Sequence, residues 1–302
     1  MPPIQTFWYS LPFSFGEVPA VMIHNHHSVL SDRAPDPRGS RPFLLHNHSF
    51  VEFQYITDGS GVLSTPAGDH ELTPGHLLLV PPQLDHRLRL TAPTLSRQTL
   101  ALLFLSSNTV SPAEFDPFFS ACRGSEPLVL DVQAGSPLEH ALQALCRLTG
   151  TQDPDAHVRE IMRAYCILFL TEVSRALPSS DSHRVQSQHP PITWERLVID
   201  NFFSSNYNAK LNAAALADEL HISTRQLNRV LQNLYGMGFQ EKTNAQRLRI
   251  AVDRLTHSDE PIAQIAELLG FGSTTALGVF IRRSTGLTPS QIRRGEPVMI
   301  DP

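Results

Sequence analysis

The sequence predicts an α+β protein of several domains, with an antiparallel β-barrel first and an all-α region last. Short β-type runs separated by Gly and Pro fill residues 1 to about 105. Apolar residues then recur at spacings of three and four, the period of amphipathic helices. A helix-turn-helix pattern occurs twice in the last third. We therefore expect a barrel at 1–110, a helical region at 111–178, a linker at 179–191 and a helical domain at 192–296.

The barrel is indicated by β-type runs at 52–57, 61–65 and 76–80. Gly and Pro signals at 58–61, 66–69, 74–75 and 81–82 predict turns between them. Many short strands with regular turns are typical of a sandwich or a barrel.

Two amphipathic helices are expected next, at 138–148 and 158–177. The second carries an apolar stripe of Ile161, Tyr165, Leu168 and Phe169. The two helices either cover the barrel completely or also leave an apolar surface for a partner. The polar, proline-bounded segment after them predicts the linker.

The duplicated pattern runs from Leu216 to Gly236 and from Ile265 to Gly286. Each copy has an alanine where two helices must approach closely, followed by a turn and a second amphipathic helix. Such a unit presents a helix to the major groove of DNA. Duplication at a fixed offset makes a chance match less credible.

This C-terminal segment resembles the AraC-type (AraC/XylS) family of bacterial transcription regulators. The resemblance lies in Leu216-Ala217, Ile222-Ser223, the bridging helix at 248–255 and the Gly-Phe pair before Gly272. It implies that two helix-turn-helix units enter successive major grooves. It also implies an effector-controlled regulator, an activator by analogy, that works as a homodimer and with RNA polymerase.

The first recognition helix should begin near Ser223 and supply most base discrimination, because Arg pairs with guanine and Asn with adenine. The second helix departs from the family, since Leu277 and Val279 replace the usual Phe and Arg. It should mainly fix position, although its small apolar side chains could touch a thymine methyl group. The expected DNA contacts are Ser223, Thr224, Arg225, Asn228, Arg229, Thr274, Thr275, Arg282 and Arg283.

The N-terminal region resembles the cupin barrel in its histidines and glycines. His46, His48 and Glu52 share strand parity, so their side chains should face the same way. With His86 they form a donor set suited to Fe, Mn, Ni or Zn, and a metal-dependent enzyme is the alternative function. Departures at Ser40, Gln83 and Leu90 favour a cupin-like sensor without a metal or other cofactor.

We expect the barrel to bind a small effector, which for related regulators is commonly a sugar or sugar derivative. Arg41 and Tyr55 are added as contacts because a guanidinium and a phenol can hold anionic or hydroxylated ligands. The expected effector site comprises Arg41, His46, His48, Glu52, Tyr55 and His86.

The composition agrees with an intracellular regulator. The net charge is −5, but the residues from Pro191 onward hold 12 of the 24 Lys and Arg and 11 of the 29 Asp and Glu. Affinity for DNA must therefore rest on locally clustered arginines. Three unpaired cysteines indicate no disulfide framework, and the absence of a leader-like or membrane-length apolar segment predicts a cytoplasmic protein without a membrane partner.

Overall fold

The computed structural model describes residues 11–31, 45–104, 115–148, 155–177, 194–205, 212–296 and 298. The chain divides into two compact units, one built mainly from residues before Trp194 and one mainly from residues after it. The expected linker at 179–191 lies outside the described residues.

The N-terminal unit is an antiparallel sheet of seven described strands. They are β1 (Leu11–Phe15), β2 (Val18–Ser31), β3 (Val51–Thr65), β4 (Gly68–Leu72), β5 (His76–Val80), β6 (Arg87–Phe104) and β7 (Leu128–Asp131). Their order is β1-β2-β6-β3-β5-β7, and β4 pairs with β3. β7 lies within the region 111–178, so that region is not helical throughout.

The glycine-rich run 58–61, expected to be a turn, lies inside β3. β3 continues through it, with register shifts against β6 between Ile56 and Asp58 and between Gly59 and Gly61. Gly59 has a φ of +78°, and a Cβ there would lie 2.1 Å from the carbonyl oxygen of Thr94. Only glycine permits this close approach, so the run forms a β-bulge instead.

The two faces of the sheet bury different residues. Val51 and Phe53 point to the face that packs against three helices, α1 (Asp116–Cys122), α2 (Pro137–Arg147) and α3 (Ala156–Ala176). The opposite, inner face holds a second apolar cluster, which contains Leu30, Ile56, Leu63, Leu72, Leu78, Val80, Leu84, Leu88 and Leu95. This arrangement confirms the cupin-like sheet domain.

α2 and α3 agree closely with the two expected helices, but the apolar stripe of α3 divides. Phe169 is fully buried, whereas Ile161 is 47% and Leu168 is 36% exposed. The buried side of α3 is instead formed by Met162, Cys166, Phe169, Leu170 and Val173. An apolar strip therefore faces outward from the N-terminal unit.

The described part of the C-terminal unit contains helices only. They are α4 (Trp194–Ser205), α5 (Ala213–Glu219), α6 (Thr224–Tyr235), α7 (Phe239–His257), α8 (Ile262–Leu268), α9 (Thr274–Thr285) and α10 (Pro289–Arg293). α5–α6 and α8–α9 are the two helix-turn-helix units, and α7 lies between them in sequence. Ala217 and Ala266 are each 2% exposed, which confirms the close helix approach in both units. None of the described helices is long and apolar enough to span a bilayer.

Candidate functional sites

The first recognition helix is α6, and its start is fixed by a capping box. Ser223 Oγ accepts a hydrogen bond from the backbone N–H of Gln226, and Gln226 Oε1 accepts one from the backbone N–H of Ser223. Leu227 and Leu231 are fully buried. The helix therefore begins where the sequence predicted and turns a polar face outward.

That outward face carries the residues expected to contact DNA in the first unit. Ser223, Thr224, Arg225, Asn228 and Arg229 are all exposed. The Oδ1 of Asn228 accepts a hydrogen bond of 3.3 Å from the backbone N–H of Phe239. Asn228 therefore also ties α6 to the start of α7, and only its amide NH₂ remains to donate elsewhere.

The second recognition helix is α9, which Ser273 caps by accepting a hydrogen bond from the backbone N–H of Ala276. Leu277 and Ile281 are fully buried. The expected contacts Thr274, Thr275, Arg282 and Arg283 are exposed. The two arginines lie in the last turn of α9, where the helix dipole stabilises positively charged side chains.

The barrel site is built by two loops that are bonded to each other. The backbone N–H of Gln83 donates to the carbonyl oxygen of His48 at 2.7 Å. The Nδ2 of Asn47 donates to Oδ1 of Asp85 at 2.7 Å. These bonds bring the segment that holds His48 against the segment that holds His86.

Glu52 lies between two buried histidines. His48 and His86 are 2% and 1% exposed, and their Nε2 atoms lie 3.2 and 3.4 Å from Oε2 of Glu52. The Nδ1 atoms of His48 and His86 lie 2.9 Å from the carbonyl oxygens of Phe50 and Leu84.

Opposing effects act on the pKa of the Glu52 carboxyl group. Burial raises its pKa, but hydrogen bonds and charge interactions with His48 and His86 outweigh burial and hold the pKa well below its usual value. One ligand atom each of His46, His48 and His86 lies within 4.8 Å of the other two. Such a set of nitrogen atoms could hold a first-row transition-metal ion.

Two polar residues of the inner face were missed by the sequence reasoning. Gln54 and Thr99 are paired across β3 and β6 and are 2% and 3% exposed. Gln54 Oε1 and Thr99 Oγ1 have no hydrogen-bond partner among the described residues. Strand parity with Glu52 was the available signal for Gln54, since paired residues on alternate positions share a face.

Tyr55, another expected effector contact, does not join this cluster. Tyr55 is three residues from Glu52 and belongs to the apolar cluster on the opposite face of the sheet. Burial and then the charge of Glu139 raise the pKa of Tyr55. Arg41 lies outside the described residues.

Two family models match the chain. A model described as an AraC-like ligand binding domain matches residues 34–164, and a helix-turn-helix domain model matches residues 216–295. The HTH-type transcriptional activator RhaS of Citrobacter koseri is 24% identical over 296 residues, which are 92% of this chain and 99% of the relative.

The chain is also similar to two further regulators and to one solved structure. RhaS of Pectobacterium carotovorum is 26% identical over 86% of this chain and 91% of its own length. The HTH-type transcriptional regulator YfiF of Bacillus subtilis is 24% identical over 76% of this chain and 72% of its own length. The solved structure of ToxT from Vibrio cholerae O395 is 15% identical, covers 90% of this chain and 96% of its own, and has a TM-score of 0.32.

Proposed function

The chain belongs to the AraC family of transcription regulators, and on that premise we propose that it is a sequence-specific cytoplasmic activator controlled by a small molecule. Its ligand-binding and helix-turn-helix domains together define a transcription regulator. The activator role is supported by relatives that are named transcriptional activators. As an activator it would act together with RNA polymerase.

The observation that carries the DNA-binding role is the outward arginine-bearing face of α6. Arg225 and Arg229 are exposed and make no ion pair with any described residue. Both side chains are therefore available to guanine or to phosphate oxygens. The proposed contacts are the nine residues expected from the sequence, and all nine are exposed. Ser223 caps α6, and the other eight lie in α6 or α9.

The proposed effector site is the polar part of the inner sheet face. Glu52 and Gln54 lie two residues apart on β3, Gln54 pairs with Thr99 of β6, and His48 and His86 complete the cluster beside Glu52. Buried acceptor atoms without partners, at Gln54 and Thr99, favour a ligand that carries hydroxyl or amine donors. A sugar or sugar derivative has this chemistry. Binding there would shift the population of chains competent to bind DNA.

The proposed homodimer uses the exposed apolar strip of α3. Ile161, Tyr165 and Leu168 follow each other at helical spacings of four and three, and none of them is fully buried. A second copy of the same strip would cover this surface by two-fold symmetry. Dimerisation would also double the length of DNA that is contacted.

The deciding experiment is selection of fragments from random duplex DNA by the purified full chain. Enrichment of one sequence motif is expected, and the Arg225→Ala chain should enrich it less and lose the preference in the part of the motif that α6 contacts. Enrichment of no motif by the unmodified chain at low salt would refute the proposal. Repeating the selection with and without a panel of sugars tests the effector class, because only the effector should change the yield.

A metal-dependent enzyme is the second candidate, and the histidine cluster is the observation that favours it. The named relatives are transcriptional regulators, which favours the first candidate. Metal analysis of the purified chain separates the two cases. A stoichiometric ion that is lost in both His48→Gln and His86→Gln variants, together with turnover of a substrate, would favour the enzyme.

A further inference from the structure

Val279 is the most exposed large apolar side chain of the described C-terminal unit. It is 64% exposed, and the other exposed large apolar side chains of the described residues lie in the N-terminal unit. A single exposed valine is common on protein surfaces and needs no explanation by itself. Val279 is of interest because it lies on α9, the second recognition helix.

The two recognition helices can be compared from their capping residues, Ser223 and Ser273. Counting from each cap, Val279 occupies the place that Arg229 occupies in the first unit, and Thr275 the place of Arg225. Buried residues also correspond, since Leu227 and Leu231 match Leu277 and Ile281. Val279 therefore lies on the same face of its helix as the arginines of α6.

The neighbours of Val279 on this face suit a DNA groove. Thr275 and Ala276 precede it by four and three residues, so they share its side of the helix, and both are exposed. Arg282 and Arg283 follow one turn later and are exposed as well. An apolar patch with cations at one end can contact base edges while the cations approach phosphates.

We propose that Val279, with Ala276 beside it, reads thymine through its 5-methyl group. Valine has no hydrogen-bonding group for guanine, adenine or cytosine, and the thymine methyl group is the apolar feature of the major groove. The two units then read DNA by different chemistry, the first by hydrogen bonds and the second by methyl contact. This reading rests on the proposed DNA-binding function and assigns a base preference to its second unit.

The test uses the full chain and the DNA motif that it enriches. Each thymine of the motif is replaced in turn by deoxyuridine, which removes the methyl group and keeps base pairing. At one or two positions the affinity should fall about fourfold, the effect of one buried methyl group. The Val279→Ala chain should bind the unmodified motif more weakly and should not respond to deoxyuridine at those positions, as a double-mutant cycle requires.

Controls separate methyl reading from general loss of affinity. The Arg283→Gln chain should bind more weakly but keep the wild-type deoxyuridine response. The Val279→Thr chain retains one methyl group and should keep part of the response. Because the side chain of Val279 is exposed, neither Val279 variant is expected to misfold. Helical circular dichroism of each variant checks the fold.

Two results would overturn the proposal without affecting DNA binding itself. One is an enriched motif in which no thymine responds to loss of its methyl group. The other is a Val279→Ala chain with the complete wild-type response. Failure of the chain to enrich any motif would instead overturn the DNA-binding function and the methyl reading together.

Discussion

His221 occupies in the first helix-turn-helix unit the turn position that Gly270 occupies in the second. Both backbones lie in the left-handed region, with φ values of +54° and +74°. The hydrogen bonds of the two turns also correspond. The backbone N–H of Ile222 donates to the carbonyl oxygen of Ala217 at 2.9 Å, and that of Phe271 donates to the carbonyl oxygen of Ala266 at 2.8 Å. The first unit thus holds a histidine where the turn favours glycine.

Replacing His221 by Gly should stabilise the C-terminal unit. Relief of the left-handed strain, less the extra chain entropy of glycine, gives about 0.5 to 1 kcal/mol in the free energy of unfolding. The side chain of His221 is exposed, so little packing is lost. Chemical denaturation measures the change. A His221→Ala chain is the control and should gain nothing, while Gly270→Ala should destabilise the chain; equal stability of all three would contradict the prediction.

Arg225→Ala should cost about 1 to 3 kcal/mol in binding to the enriched motif if Arg225 reads a base. Binding to random DNA should change much less, because that binding depends on phosphates. Arg282→Ala is the matched comparison and should weaken binding to both DNAs alike. Titrations at several salt concentrations measure both effects. Equal losses on motif and random DNA for Arg225→Ala would reassign it to a phosphate contact.

Base substitutions should reduce affinity unequally in the two halves of the motif. The element contacted by α6 should lose more affinity per substituted base pair than the element contacted by α9, because bidentate hydrogen bonds discriminate more strongly than methyl contacts. Arg225→Ala identifies the first element, since it removes the discrimination only there. Equal or larger losses in the other element would contradict this order.

The helix-turn-helix units could be predicted from sequence because their determinants are local. The start of α6 depends on Ser223 and Gln226, which are three residues apart, and its buried side follows the helical period. Strand parity likewise predicted that His48 and Glu52 face the same way, and their side chains lie 3.2 Å apart.

Long-range pairing decided what the sequence could not show. A glycine-rich run is compatible with a turn or a bulge, and only the pairing of residues 58–64 with residues 87–96 of β6 selects the bulge. β7 has four residues and depends on β5, which lies about fifty residues earlier. Tyr55 was misplaced for a different reason, because its odd offset from Glu52 already put it on the other face.

Leu168→Glu should convert the proposed dimer to a monomer, because a charge would be buried in the apolar strip of α3. Sedimentation at several protein concentrations measures the association state. Val29→Glu is the matched control, since Val29 is 63% exposed on β2 and lies off the strip. A dimer that tolerates Leu168→Glu as well as Val29→Glu would place the interface elsewhere.

The part-buried contact between Tyr235 and Asp200 should make the free energy of unfolding fall at alkaline pH. Tyr235 Oη donates to Oδ1 of Asp200 at 2.7 Å. Lys242 and Arg196 also face this carboxylate, at 3.6 and 3.9 Å. Burial, and then the charge and hydrogen bond of Asp200, raise the pKa of Tyr235 well above its usual value. The folded chain therefore keeps the phenolic proton where the unfolded chain has lost it.

The sign of this effect follows from proton linkage. The stabilisation that the Tyr235 proton contributes is complete below pH 10. Above pH 10 it is lost progressively, and at pH 11 the free energy of unfolding has fallen by about 1.4 kcal/mol. Burial lowers the pKa of Lys242 and acts in the opposite direction, but that effect is common to wild type and Tyr235→Phe. Tyr235→Phe should cost about 1 kcal/mol at pH 7, and the difference from wild type should disappear by pH 11. Denaturation at both pH values measures it, and an unchanged difference would show that Tyr235 does not hold its proton in the folded state.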